Sequence, residues 1–146
     1  MNMPENSTVS IYERYLQAED LVLRSIQSEY GAPIHRQVTA GRDSGFDGVF
    51  TSCGKTNVVE VKYIVPKDKS LRIKESIQYL TTTIQQYGWT NAQILLALVF
   101  ESEDDVKNHA KISSIDFSKN AVPVVVRVFT MTQLKAKFGV SKRNEG

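Results

Sequence analysis

The hydrophobic positions change period several times along the chain, and each change predicts an element. From Val9 to Tyr30 apolar residues recur at helical spacing, with Ile11, Tyr12, Tyr15, Val22, Leu23 and Ile26 on one face and Gly31 and Pro33 closing the segment. Ile34 to Thr39 is short and β-branched enough to be a strand. The runs FDGVF and NVVEVKY flank SCGKT, and a glycine-containing turn between β-rich runs predicts a hairpin over Gly41 to Tyr63. Helical spacing returns from Leu71 to Tyr87, where Ile73, Ile77, Leu80, Ile84 and Tyr87 form one stripe that Gly88 ends, with Asp68 or Ser70 available as a cap. Ala92 to Phe100 is a continuous apolar run, the pattern of a strand buried on both faces. Val122 to Phe129, with Pro123 at its start, reads as another strand, and Met131 to Phe138 as a short helix. The expected architecture is α/β, with about five strands in a mixed sheet flanked by helices.

The hairpin carries the polar residues of most interest. With a turn centred between Cys53 and Gly54, paired residues have numbers summing to 107, which sets Asp47 opposite Glu60. Alternation then puts Asp47, Glu60 and Lys62 on one face and Phe46, Phe50, Val59, Val61 and Tyr63 on the other, a core face. Opposed like charges weaken a sheet by about 0.2–1 kcal/mol. Such a pair either stays in water or receives a cation, and Mg²⁺ is held by one or two carboxylates with phosphate and water. Lys62 points at the same place, where it could stabilise charge on a phosphate. The plain alternative is an outer strand face whose Glu and Lys are simply solvated.

Glu19 falls in the middle of the first helix's apolar face. A carboxylate there is costly unless paired, hydrogen-bonded or bound to metal; otherwise it must reach the helix edge. Glu29, at the edge of the same face, is a weaker candidate. Arg36 and His35 on the following strand, and Arg42 in the GRDSG turn, could approach a phosphate. Lys67, Lys69, Arg72 and Lys74 form a basic cluster after the hairpin, which could receive a phosphate backbone or simply open a solvated helix.

Asp47, twelve residues, then Glu60-Val61-Lys62 resembles the PD-(D/E)XK nuclease superfamily. The text GRDSGFDGVF followed by VVEVKY is most similar to Mrr-type restriction endonucleases and, less closely, to Holliday junction resolvases. The resemblance runs from about Glu19 to Phe100 in order of elements, but only the hairpin matches by motif, and Phe46 stands where proline is common. It implies a restriction-endonuclease-like αβββαβ core and a Mg²⁺-dependent deoxyribonuclease, with Mn²⁺ a possible substitute. Asp47, Glu60 and the Val61 carbonyl would hold the metal, Glu19 would assist, and Lys62 would position the attacking hydroxide. Some relatives place a Gln and a Tyr four residues apart on the helix after the hairpin; that spacing is absent here, which leaves Gln78 a weak substrate contact.

Composition narrows the partners. The 146 residues suit one domain able to bury roughly 68–70% of its unfolded surface, with loose ends expected over 1–7 and 140–146. A net charge of +2 permits a local nucleic-acid patch without demanding one. One cysteine excludes an intramolecular disulfide and suits a reducing cytoplasm, and ILLALVF is too short to span a bilayer. Without a second domain to read sequence, specificity would come from DNA shape, a homodimer or a partner protein. Besides a general DNA endonuclease, two readings stay open: a resolvase-like nuclease for branched DNA, and a nuclease-like module that binds nucleic acid or protein without cutting.

Overall fold

The computed structural model describes residues 3–39, 45–65 and 72–139. Its elements are α1 (Met3–Tyr30), β1 (His35–Thr39), β2 (Gly45–Ser52), β3 (Lys55–Tyr63), α2 (Ile73–Gln86), β4 (Ala92–Phe100), α3 (Glu103–Asn108), α4 (Ala110–Ser113), β5 (Val124–Thr130) and α5 (Met131–Phe138). The strands form one sheet in sequence order. β1, β2 and β3 pair antiparallel, while β3, β4 and β5 pair parallel. Parallel neighbours need a crossover, supplied by α2 between β3 and β4 and by α3 and α4 between β4 and β5. The fold is therefore the expected α/β architecture with a five-stranded mixed sheet.

Each face of the sheet has its own core. On one, Ala18, Leu21, Val22 and Ile26 of α1 and Leu134 of α5 pack on Phe50, Val59, Val61, Leu95, Ala97 and Val99. On the other, Ile73, Ile77, Leu80 and Ile84 of α2 pack on Val58, Ile94, Leu96, Leu98 and Phe100. Every residue of β4 from Ile94 to Phe100 is fully buried, because that strand feeds both cores.

Three details depart from the sequence pattern, and the acidic segment after β4 takes one of the two forms open to it, a solvated loop or a helix start. Helix α1 begins at Met3, not Val9, and takes in most of the expected loose start; Pro4 is tolerated because first-turn N–H groups have no helical partner. Ile11 and Tyr12, placed by periodicity on the core face, are 44% and 63% exposed. Helix α2 starts at Ile73, and its N-cap is Arg72, which makes no side-chain capping bond; Asp68 and Ser70 lie outside the described residues. The acidic ESEDD segment forms the start of α3, where the Ser102 hydroxyl accepts the Asp105 N–H and three acidic side chains occupy the first turn.

The β2–β3 turn has positive φ at both central residues, 54° at Cys53 and 76° at Gly54, as a type I′ hairpin requires. It fixes the expected register, with Ser52 opposite Lys55 and Gly48 opposite Val59. Gly48 then lies under α1: a Cβ there would sit 2.9 Å from Ile34 Cγ2 and 3.1 Å from Leu23 Cδ2. The missing side chain lets the helix close down beside Asp47.

Cys53 pays a steric cost for its left-handed conformation, about 1–2 kcal/mol for most side chains and less for Asn. Cys53→Asn should raise the melting temperature by roughly 2–4 °C, the shift expected for about 1 kcal/mol in a domain of this size, as read by thermal denaturation under reducing conditions.

Candidate functional site

Cross-strand pairing between β2 and β3 stops at Gly48 and Val59. One step further, where Asp47 would face Glu60, the Asp47 side chain takes over from the ladder: its Oδ2 accepts the Val61 backbone N–H at 2.7 Å. Strict alternation fails at this point. Phe46 packs in the α2-side core and against Trp89, whereas Phe50 lies in the α1-side core, so the two phenylalanines do not share a face as the pattern predicted. The carboxylate sits at the edge of β2 and not squarely on one surface.

Glu19 arrives from α1. It is 8% exposed, and its carboxyl lies within hydrogen-bonding reach of Asp47. Glu60 and Lys62 arrive from β3, with Lys62 Nζ 3.5 Å from Glu60 Oε2 and both side chains largely covered. Three elements thus deliver three carboxylates and one ammonium to a common place, and these are the four side chains singled out from the sequence.

Their electrostatics follow from that crowding. Burial, then the neighbouring Asp47 charge, pushes Glu19 from its ordinary 4.5 up to about 7, with Arg36 pulling the other way. Glu60 is also pushed up to about 7, by burial and by Asp47, although Lys62 opposes the shift. Burial raises Asp47 too, in spite of the Val61 N–H, the hydrogen bond to Glu19 and the Lys62 charge. One lysine does not balance a buried Glu19 and the half-buried Asp47 and Glu60.

The basic candidates are dispersed. Arg36 is held by Asp20, Nη1 to Oδ1 at 2.7 Å, and Arg24 joins the same carboxylate at 3.3 Å. Arg72 is exposed at the start of α2. Lys74 lines a separate hollow of about 400 Å³ with Gln78 and Lys119, to which none of the three carboxylates contributes. Arg42, Lys67 and Lys69 lie outside the described residues. His35 is exposed on β1. Glu29 pairs with Arg127 of β5 at 2.8 Å and takes no part in the cluster.

Two groups went unnoticed in the sequence. Tyr15, half-buried one turn before Glu19, lines a hollow with Glu19 and Asp47, and its hydroxyl is pushed up by burial and by the charges of Asp47, Glu19 and Glu60. Its position on the helix face of Glu19 is the available signal, but the same spacing equally fits a core residue. Tyr63 donates its hydroxyl to Glu101, which Arg14 also approaches at 3.8 Å; burial and that hydrogen bond push the phenol up to about 12. Nothing local in the sequence pairs residues 38 positions apart.

The oxygen donors are those a hard divalent cation takes, and the shortage of positive charge is what such a cation would relieve. Among the described residues, however, no group of three or more His, Cys, Asp or Glu side chains is placed so that it could hold a metal ion as it stands. Among the same residues no helix is long and apolar enough to cross a membrane. The chain matches no protein-family model, no curated protein and no solved structure.

Because Glu19 and Glu60 are raised, the folded state keeps protons that the unfolded state releases between about pH 4.5 and 7. Stability in the absence of divalent cations therefore falls as pH rises through that window. Glu60→Gln should flatten this dependence and make the protein more stable than wild type at pH near 8, with little difference at pH near 4.5. Urea denaturation in EDTA at both pH values checks it.

Proposed function

We propose that the chain is a metal-dependent endonuclease that hydrolyses DNA phosphodiester bonds. The observation that carries this reading is the convergence of Glu19, Asp47 and Glu60, from three different elements, beside Lys62 at the point where β2 and β3 part. A structural protein gains nothing from one buried and two half-buried carboxylates gathered beside a single lysine, and a positively charged occupant would relieve them. The resemblance of the Asp47, Glu60 and Lys62 spacing to PD-(D/E)XK nucleases supplies the reaction class.

In this reading Asp47 and Glu60, with the Val61 carbonyl, would hold a Mg²⁺, and Glu19 would assist. When bound, the ion would offset the charge of the phosphodiester and of the departing oxygen. The protein's own residues do the rest. The Val61 N–H orients Asp47, and Glu60 keeps the Lys62 ammonium in the cleft. Lys62 in turn positions the water that attacks phosphorus opposite the leaving oxygen. Two copies of the chain would bring two such sites to the two strands of a duplex.

Purified protein should cut supercoiled DNA with Mg²⁺ or Mn²⁺ and lose cutting in EDTA. Lys62→Ala should reduce the rate at least about 100-fold, within the range for loss of a positioned catalytic group. Faster cutting of a four-way junction than of linear duplex would assign the branched-DNA variant of the same reading. DNA retained on a gel without cutting in any metal would replace the enzyme with a binding module.

Mg²⁺ should also raise the melting temperature at pH near 8, since a ligand of the folded state alone stabilises it. Asp47→Asn should abolish that rise, a readout that does not depend on finding the substrate.

A further inference from the structure

In α1, apolar side chains stand exposed in the two turns before Glu19. Tyr12 is 63% exposed, Leu16 40% and Ile11 44%. These residues do not lie on a remote surface. Tyr12, Tyr15, Leu16 and Glu19 form one wall of a hollow of about 350 Å³, and Gly45, Phe46 and Asp47 form the other. Two of the three carboxylates therefore share a cavity with two tyrosines and a leucine. The volume lies in the range of small-ligand clefts, about 300–1,000 Å³.

A phosphodiester brought to Glu19 and Asp47 carries a nucleobase within reach of the same walls. The chemistry of those walls selects what can lie there. Tyr12 and Tyr15 are separated by one helical turn and face the same hollow, so they offer aromatic surface without charge. The described basic side chains near the cleft are already engaged, Arg36 by Asp20 and Lys62 by Glu60. Aromatic stacking is the contact left to fix a nucleotide, and every base has a face that can use it. A base inside a duplex has both faces occupied by its neighbours, so only an unpaired or extruded one can enter.

We propose that Tyr12 and Tyr15 form a stacking platform for an unpaired nucleobase next to the carboxylates, and that the substrate is DNA with unpaired nucleotides at the point of cutting. This inference rests on the nuclease reading and deepens it. Leu16 closes the floor of the platform. Glu19 marks the boundary where base contacts give way to phosphate chemistry.

The test uses the full chain in two forms. Wild type and Tyr12→Ala are compared for Mg²⁺-dependent cutting of a fluorescein-labelled oligothymidine strand and of the oligo(dA)·oligo(dT) duplex of the same length. The same Tyr12 change in a Lys62→Ala background gives binding by fluorescence anisotropy on both probes. Loss of one stacked base should cost about tenfold in affinity and rate on the single strand, with less than twofold change on the duplex. Tyr12→Phe, which keeps the ring, should restore the wild-type values. Tyr79→Ala, at a tyrosine 46% exposed on α2, should change nothing.

Equal losses on both probes, or no loss on either, while metal-dependent cutting continues would overturn the platform and leave the nuclease intact. If wild type neither cuts nor binds any DNA in Mg²⁺ or Mn²⁺, the nuclease reading falls and the platform falls with it. Tyr12 is mostly solvent-exposed, so its removal should leave the melting temperature within about 1 °C of wild type, as expected for a surface change.

Discussion

The Asp47 carboxylate accepts the Val61 N–H at 2.7 Å, and the shape of the site follows from that substitution of a side chain for a strand. A backbone ladder would have continued past Gly48 and Val59 and held β2 and β3 a strand-width apart. The carboxylate ends it without leaving a buried donor unpaired. The gap so opened is where Glu19 enters from above and Glu60 and Lys62 project from β3. A type I′ turn six residues away sets the register that brings Asp47 to this position, and Gly48 lets α1 come close enough for Glu19 to reach it. None of the four chemical side chains could be placed by its own element alone.

That arrangement is electrostatically unfavourable by itself. Burial raises all three carboxylates, the Asp47 charge raises Glu19 and Glu60 further, and Lys62 offsets only part of the shift at Asp47 and Glu60. The cluster persists because the elements that present it are fixed elsewhere. β3 is paired along its length to β4, which is buried on both faces, and α1 is anchored by Leu21, Val22 and Ile26 in the core on its side of the sheet. Rigid scaffolding can hold polar groups in positions they would leave if free, the condition under which a site is organised before its ligand arrives.

Much of the frame was legible in the sequence because it depends on local period. The apolar run of β4, the stripe of α2 from Ile73 to Ile84 and the pairs summing to 107 from Ser52–Lys55 to Gly48–Val59 follow from side-chain alternation and turn chemistry and are found as expected. Tyr87, placed at the end of the stripe, is instead exposed beyond the helix, and Asp47 does not pair with Glu60 in the ladder. The departures lie where a neighbour decides. Phe46 leaves its alternation because the Asp47 side chain replaces a ladder bond, which no period of two encodes. Ile11 and Tyr12 share the periodicity of Ile26, yet they are exposed where Ile26 is buried, because burial depends on what packs against the helix and periodicity does not encode that. The link from Tyr63 to Glu101 joins the ends of parallel strands and has no sequence signature. Glu19 was legible for the opposite reason: a carboxylate amid apolar neighbours signals a demand without identifying its partner.

A cleft carrying uncompensated carboxylates repels a phosphate for the same reason that it attracts a cation. On the nuclease reading, cation and DNA must therefore bind with positive coupling, each raising the affinity for the other by the same factor. The coupling originates in charge, whereas contacts of α1 with a base would be insensitive to it. Salt would then weaken the phosphate contribution and spare the stacking contribution, because screening acts on charges and not on aromatic surface. On that reading, carboxylates from α1, β2 and β3 would drive hydrolysis, while the aromatic surface of α1 would select the nucleotide.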